Sequence, residues 1–251
     1  MRVGGIIDIS TKDVPSKTSM VIFSVGCNLN CSFCHNKNLL NPKVGRNMKI
    51  NEILNHVKSN VLVSWVSISG GEPTLQKELI ELCQEIHKNG KLINIDTNGT
   101  NPSVIKKLLP YINRISLDLK ASPNKKIYER VVNCKIDIDP ILETFKLVNN
   151  QNTIEFEIRT TYVENLLTTK DIHKIITFLK KNRFRGNFVL QQYQYSEGVG
   201  EKYKEIYNIP EHLVLLKILK KYKNKKTRFS IFLRDNVVGY KNINDIENNW
   251  N

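Results

Sequence analysis

Between residues 20 and 233 the chain alternates two hydrophobic periods. Apolar runs stand at 20–25, 61–69, 92–97, 115–119, 154–162 and 188–192. Continuous runs of this kind suit strands buried on both faces. Between them, apolar residues recur every three or four positions, as Leu75, Leu79, Leu82 and Ile86 do. That spacing lines one side of a helix. Helices are expected over 51–58, 75–88, 102–109, 127–132, 140–148, 170–181 and 211–222, with Pro102 in a first turn, where its missing N–H costs nothing. A last short strand is expected over 228–233. Strand–helix alternation builds parallel strands with helices outside. Six units in about 210 residues fall short of the eight of a closed barrel. The expected fold class is α/β, an open partial (β/α)6 barrel.

Residues 1–19 mix small apolar and polar groups up to a turn at 13–16 and read as an N-terminal hairpin or cap. The core domain is expected over 20–235, and 236–251 as a polar, frayed C-terminal tail. With 40% hydrophobic and 25% charged residues among 251, the composition is that of a globular protein with a real core. No leader-like segment opens the chain, and no apolar run nears the ~20 residues that cross a membrane. A cytoplasmic location and no membrane partner are expected. The net charge is +14, and residues 170–228 hold 15 Lys/Arg against 5 Asp/Glu. No nucleic-acid motif accompanies this excess, so it reads as a solvated lysine-rich face, with an acidic protein as a fitting partner and nucleic acid not expected.

Chemistry concentrates after the first strand. Cys27, Cys31 and Cys34 stand in the segment CNLNCSFCHN at spacing C-x3-C-x2-C, and the whole chain has only five cysteines. Three thiolates on one loop are a ligand set for a metal or a cluster. A four-iron cubane held by three thiolates leaves one iron open, and open positions are where chemistry occurs. Disulfides do not suit three such close cysteines. A structural zinc site using Cys27, Cys31, Cys34 and His35 is the competing reading, although it usually comes as two C-x2-C knuckles and no second pair exists.

Polar residues also gather where one strand after another ends, the functional end of parallel α/β folds. They are Gly70, Gly71 and Glu72; Asp96 and Asn98; Asp118 and Lys120; Arg159; and Gln192. Glycines let backbone approach a ligand closely. Each group alone reads as turn chemistry or surface polarity.

The C-x3-C-x2-C spacing, with Phe33 before the last cysteine, resembles the signature of the radical S-adenosylmethionine superfamily. Gly70-Gly71-Glu72-Pro73 resembles that superfamily's second motif, where backbone meets the amino group of the methionine moiety. Cys34-His35-Asn36, Asp96-Thr97-Asn98-Gly99 and Leu117-Asp118-Leu119-Lys120 are similar to the wording of the glycyl-radical-enzyme activases, and 9–15 to the start of the anaerobic ribonucleotide-reductase type. The resemblance implies the partial barrel and two cofactors, one 4Fe–4S cluster on Cys27, Cys31 and Cys34 and S-adenosylmethionine. It implies cofactor-binding roles for Phe33, Cys34, His35, Gly70, Gly71, Glu72, Asp96, Asn98, Asp118, Lys120, Arg159 and Gln192. Asp96 would face the cofactor's ammonium and Lys120 its carboxylate. Asp118 would take ribose hydroxyls or position Lys120. Glu72 would brace its loop or touch the cofactor. No histidine follows the sixth strand, where some activases place one, and Gln192 stands there instead.

The activity so implied is anaerobic. A low-potential donor such as flavodoxin or ferredoxin reduces the cluster, S-adenosylmethionine is cleaved to methionine and a 5′-deoxyadenosyl radical, and the radical takes a glycine Cα hydrogen from a partner glycyl-radical enzyme. Glycine suits this because flanking amides stabilise its Cα radical and no side chain hinders it. No oxidoreductase catalytic residue is expected beyond cluster and cofactor. The alternatives are a radical enzyme acting on a small molecule or nucleoside, and a non-catalytic Fe–S or zinc-stabilised module. The sequence leaves the physiological partner, the electron donor and the oligomeric state open.

Overall fold

In the computed structural model, the described residues are 1–196, 199 and 201–247. They form two compact units, one of Met1–Asn28, Asn36–Leu117 and Asp139–Phe156, the other of Leu29–His35, Asp118–Ile138 and Glu157–Asn251.

The first unit is built on strands β1 (Arg2–Ser10), β2 (Ser19–Ser24), β3 (Arg46–Asn47), β4 (Trp65–Gly70), β5 (Leu92–Thr97) and β6 (Arg114–Asp118), the last residue of β6 lying in the second unit. β2, β4, β5 and β6 run parallel, in register Ile22↔Ile68 and Ile95↔Ile115 among others, and β1 and β3 close the edge antiparallel. Val21, Ile22, Val66, Ile68, Ile93, Ile95 and Ile115 are fully buried, as central parallel strands require. Helices α1 (Ile50–Ser59), α2 (Leu79–Lys88), α3 (Pro102–Leu108) and α5 (Asp139–Asn149) also belong to this unit. Leu79, Leu82, Cys83 and Ile86 are the fully buried face of α2. Each such aliphatic side chain contributes about 1.5–3 kcal/mol.

The second unit holds α4 (Lys125–Val132), most of β7 (Glu155–Tyr162), α6 (Thr169–Lys181), β8 (Asn187–Gln192), α7 (Glu201–Ile206), α8 (His212–Leu219), β9 (Ser230–Asp235) and β10 (Gly239–Asn242). β7, β8 and β9 are parallel and β10 returns antiparallel on β9. Helix α6 starts where Thr168 and Asp171 exchange side-chain and backbone bonds, satisfying two donors that a helix start leaves orphaned. Ile172, Ile175, Ile176 and Leu179 are its fully buried face. Among the described residues, no helix is long and apolar enough to cross a membrane.

The structure corrects several expected boundaries. The run 61–69 is strand only from Trp65, and Val61 and Leu62 are exposed. They lie just past the Asn60 cap of α1, where the chain must turn before it can enter the sheet. The helix expected over 75–88 starts at Leu79, because Pro73–Leu75 forms a separate 3-10 turn. The opening segment, expected as a hairpin or cap, is a nine-residue strand paired antiparallel with β2, so the hairpin takes in the first main strand. Residues 236–242, expected in a polar tail, supply β10, and Ile243 and Ile246 behind it are buried. Their apolar groups are too sparse to give a period, so only pairing with β9 reveals the strand. Residues 248–251 of that tail lie outside the described residues.

Two glycines are demanded by close packing in the first unit. Gly70 has φ +109°, and a Cβ there would stand 2.4 Å from the Ser24 carbonyl oxygen. A Cβ on Gly71 would stand 2.0 Å from the carbonyl oxygen of Gly26. Gly71→Ala should therefore lower stability by about 3 kcal/mol or more, since rigid backbone must move to admit the methyl. Gly5→Ala, where nothing lies within 4 Å of the new methyl, should change it little. Urea unfolding of the two variants checks the contrast.

Candidate active site

In the first unit, the loops leaving β4 and β5 are tied by one carboxylate. Glu72 is fully buried. Its Oε1 accepts from the Thr74 N–H (3.1 Å), the Thr74 hydroxyl (2.5 Å) and the Thr97 hydroxyl (2.7 Å), and its Oε2 from the Asn98 N–H (2.7 Å). Burial pushes the Glu72 carboxyl above its ordinary range, and these donors oppose the shift. Glu72 therefore braces the loops, the first of the two roles that the sequence left open for it.

Gly70 and Gly71 lie close against backbone. Their missing side chains admit the Ser24 and Gly26 backbone. The N–H groups of Gly71 and Glu72 are donated to the carbonyls of Ser24 (2.9 Å) and Gly26 (2.8 Å). The Gly70 carbonyl accepts from the Asn36 amide (3.0 Å). Asp96 accepts from Ser69 (3.1 Å) and Asn94 (2.9 Å), on a floor of buried polar groups where Arg114 donates to Asn94 and Ser116. Asn98 donates to Asn28 Oδ1 (2.9 Å) and reaches Cys27 Sγ at 3.8 Å. Sequence reasoning left Ser69 and Asn94 aside, because only strand register puts them beside Asp96.

In the second unit, Asp118 sits between two cations. Lys120 Nζ donates to one oxygen at 3.2 Å and Arg159 Nε to the other at 3.1 Å. Burial works against ionisation of Asp118, but the two cations outweigh it and hold its carboxyl below the usual range. Burial also works against the Lys120 charge, but Asp118, Cys31, Tyr128 and Cys34 raise its pKa, so the ammonium is permanent. It stands 5.9 Å from the Phe33 ring centroid. Asp118 thus positions Lys120, and of its two expected roles this is the one the contacts favour. Tyr128, missed in the sequence, accepts from the Lys120 N–H at 3.3 Å.

The other expected residues of this unit are placed less suggestively. His35 packs edge-on against Tyr193, 6.4 Å between ring centroids, and burial lowers its pKa. Gln192 is held by its own chain. Its amide donates to the Pro210 carbonyl (2.7 Å), and its oxygen accepts from the Asn236 N–H (3.0 Å) and from Gln194.

All five cysteines are free thiols. Cys83 is sealed in the α2 core, where burial pushes its thiol up and leaves it inert. Among the described residues, no group of three His, Cys, Asp or Glu side chains is gathered as one metal ion needs. A four-iron cluster takes its thiolates on separate irons, farther apart than one ion does. The donor chemistry fits such a cluster: three thiols on one loop, an amide N–H directed at Cys27, and an ammonium that interacts with Cys31 and Cys34.

Residues 21–189, roughly two thirds of the chain, match the profile of the Radical SAM superfamily, and the chain belongs to that superfamily. It is a radical S-adenosylmethionine enzyme, of a family that binds a 4Fe–4S cluster through three cysteines together with S-adenosylmethionine. A Methanocaldococcus jannaschii protein named as a candidate glycyl-radical enzyme activating enzyme is 36% identical over 229 residues, 88% of this chain and 92% of that one. The Escherichia coli pyruvate formate-lyase 1-activating enzyme is 27% identical over 164 residues, 62% of this chain and 60% of its own. Streptococcus suis SuiB, solved with S-adenosylmethionine, has a TM-score of 0.66 at 23% identity over 86% of this chain, which spans 50% of SuiB. That likeness shows the fold, the α/β class expected from the sequence.

Glu72→Gln tests the brace. Each carboxylate oxygen faces a backbone N–H, which only donates, so a glutamine in either orientation sets its NH2 against one, and the variant should lose about 1.5–3 kcal/mol, the worth of a hydrogen bond to a charged group. Thermal unfolding measures it, and a stability equal to wild type would remove Glu72 from the centre of these loops.

Proposed function

We propose that this enzyme is a glycyl-radical-enzyme activase. It cleaves S-adenosylmethionine reductively, and the product radical takes a glycine Cα hydrogen from a partner protein, of the anaerobic ribonucleotide reductase type. The observation that carries the reading is the similarity to the M. jannaschii protein named for this activity, which runs through nearly the whole of both chains.

On this reading Cys27, Cys31 and Cys34 hold the 4Fe–4S cluster. When bound, cluster and S-adenosylmethionine supply an electron and the 5′-deoxyadenosyl group, and the rest is the work of the chain's own residues. Lys120 is fixed by Asp118 and permanently charged, so it suits the cofactor's carboxylate. Asp96 is held by Ser69 and Asn94 and suits its ammonium. Arg159 keeps Asp118 ionised, which keeps Lys120 in place. Phe33 gives the Lys120 stem an apolar wall and a π face. The Gly70–Gly71 backbone shapes the loop that Glu72 braces. The electron arrives from a low-potential flavodoxin or ferredoxin.

Anaerobically reconstituted protein should carry about four irons per chain, the content of one such cluster. Alanine at Cys27, Cys31 or Cys34 should abolish the intact cluster, and alanine at Cys83 or Cys134 should leave it. Lys120→Ala should keep the iron but weaken S-adenosylmethionine binding roughly tenfold, the loss of one charged hydrogen bond. Mixed with reductant, S-adenosylmethionine and a candidate glycyl-radical enzyme labelled with deuterated glycine, the protein should put deuterium into 5′-deoxyadenosine. An α-hydrogen-split doublet should appear on an unlabelled partner. Stoichiometric cleavage driven instead by a small metabolite or nucleoside, with no deuterium transfer, would overturn the activase reading and leave the radical chemistry.

A further inference from the structure

The Asn98 amide is locked in one orientation. Its Oδ1 accepts from the backbone N–H of Thr100 at 3.0 Å and from the Thr100 hydroxyl at 2.7 Å. A backbone N–H only donates, so the amide oxygen must lie on that side and the NH2 group on the other. The NH2 group meets Asn28 Oδ1 at 2.9 Å and Cys27 Sγ at 3.8 Å, within reach of a sulfur acceptor. The backbone beneath it is fixed by the bond from Asn98 N–H to the buried Glu72 carboxylate at 2.7 Å. Asn98 is itself 5% exposed, so water competes little for the amide. All of these groups belong to the first unit.

We infer that Asn98 is a positioning residue that sets the reduction potential of the cluster, by donating a side-chain N–H to the sulfur of Cys27. The inference rests on the reading of Cys27 as a cluster ligand. A donor on a ligand sulfur withdraws charge from it, and the reduced cluster, one electron more negative, gains more from this than the oxidised one. The donor therefore makes one-electron reduction easier. The sequence marks Asn98 as part of a turn-like Asp-Thr-Asn-Gly segment with an implied cofactor contact, and gives no sign of a bond to Cys27. The contact to Cys27 exists because the Glu72 carboxylate fixes its backbone and Thr100 fixes its amide.

The test is an anaerobic titration with dithionite and viologen mediators, read by electron paramagnetic resonance of the reduced cluster without S-adenosylmethionine. Wild type is compared with Asn98→Ala and with the near-isosteric Asn98→Asp at equal iron content. Both variants should have a lower midpoint potential, with reduction about tenfold less favourable in Asn98→Ala, or about 59 mV for one electron. The aspartate variant should lie lower still, because it adds a negative charge. Unchanged potentials in both would overturn the inference.

If neither variant retains iron, wild type decides. With asparagine labelled by ¹⁵N at the amide, pulsed resonance of the reduced cluster should show a coupled nitrogen. Asn28 and Asn36 turn their own amides to the Thr100 hydroxyl and the Gly70 carbonyl, and Asn30, the other asparagine of the cysteine loop, is replaced by alanine in the labelled protein, so that nitrogen would be the Asn98 amide. No coupling would overturn the inference. A wild type that takes up no 4Fe–4S cluster, or a cluster that survives Cys27→Ala, would sink the ligand reading and this inference with it. Unchanged potentials on a cluster that does need Cys27 sink only the inference.

Discussion

The first unit depends on a buried carboxylate that no solvent reaches. Burying a charge is costly unless it is fully hydrogen-bonded. Glu72 meets that condition with donors from Thr74, Thr97 and Asn98, residues of two different loops. The consequence is mechanical. The turn after β4 and the turn after β5 cannot move independently without stranding the carboxylate. Gly70 and Gly71 then bring the first of these turns against the Ser24 and Gly26 backbone, immediately before Cys27. A single side chain in this way places the approach to the cysteine loop.

The second unit solves a different electrostatic problem. It keeps a lysine charged in a partly buried place. A lone buried lysine loses its charge readily. Lys120 keeps its charge because Asp118 faces it, and Asp118 stays ionised because Arg159 takes its other oxygen. The three residues work as one arrangement, and removing the middle one would leave two cations close together.

Much of this was legible in the chain. The strand–helix alternation gave the class of fold, because burial on both faces and burial on one face leave different periods. The cysteine spacing picked out the loop with three thiols, and Asp118-Leu119-Lys120 gave a same-face pair that the structure brings into contact. The misreadings share a cause. Val61 and Leu62 belong by composition to a buried strand but sit in the turn after α1, and hydropathy does not record where a helix end forces the chain to reverse. β10 has no period of its own and exists because β9 offers it an edge. The partners of Gln192, Pro210 and Asn236, were likewise not legible, because they lie 18 and 44 positions along the sequence.

The sequence by itself determined the local quantities: which segments are strands or helices, which loop carries three thiols, and which strand ends are polar. These follow from residues a few positions apart. The tertiary structure alone decided what each polar group is for. Glu72 and Asp96 are both acidic residues near strand ends, yet one is enclosed by four donors and the other rests on Ser69 and Asn94. Asn98 reads as an ordinary turn residue, and only its fixed amide aims it at Cys27. The physical reason is that hydrogen bonds and ion pairs depend on distance and direction. Those are set when register and packing bring residues 25 to 71 positions apart into contact, such as Glu72 with Thr97 and Cys27 with Asn98.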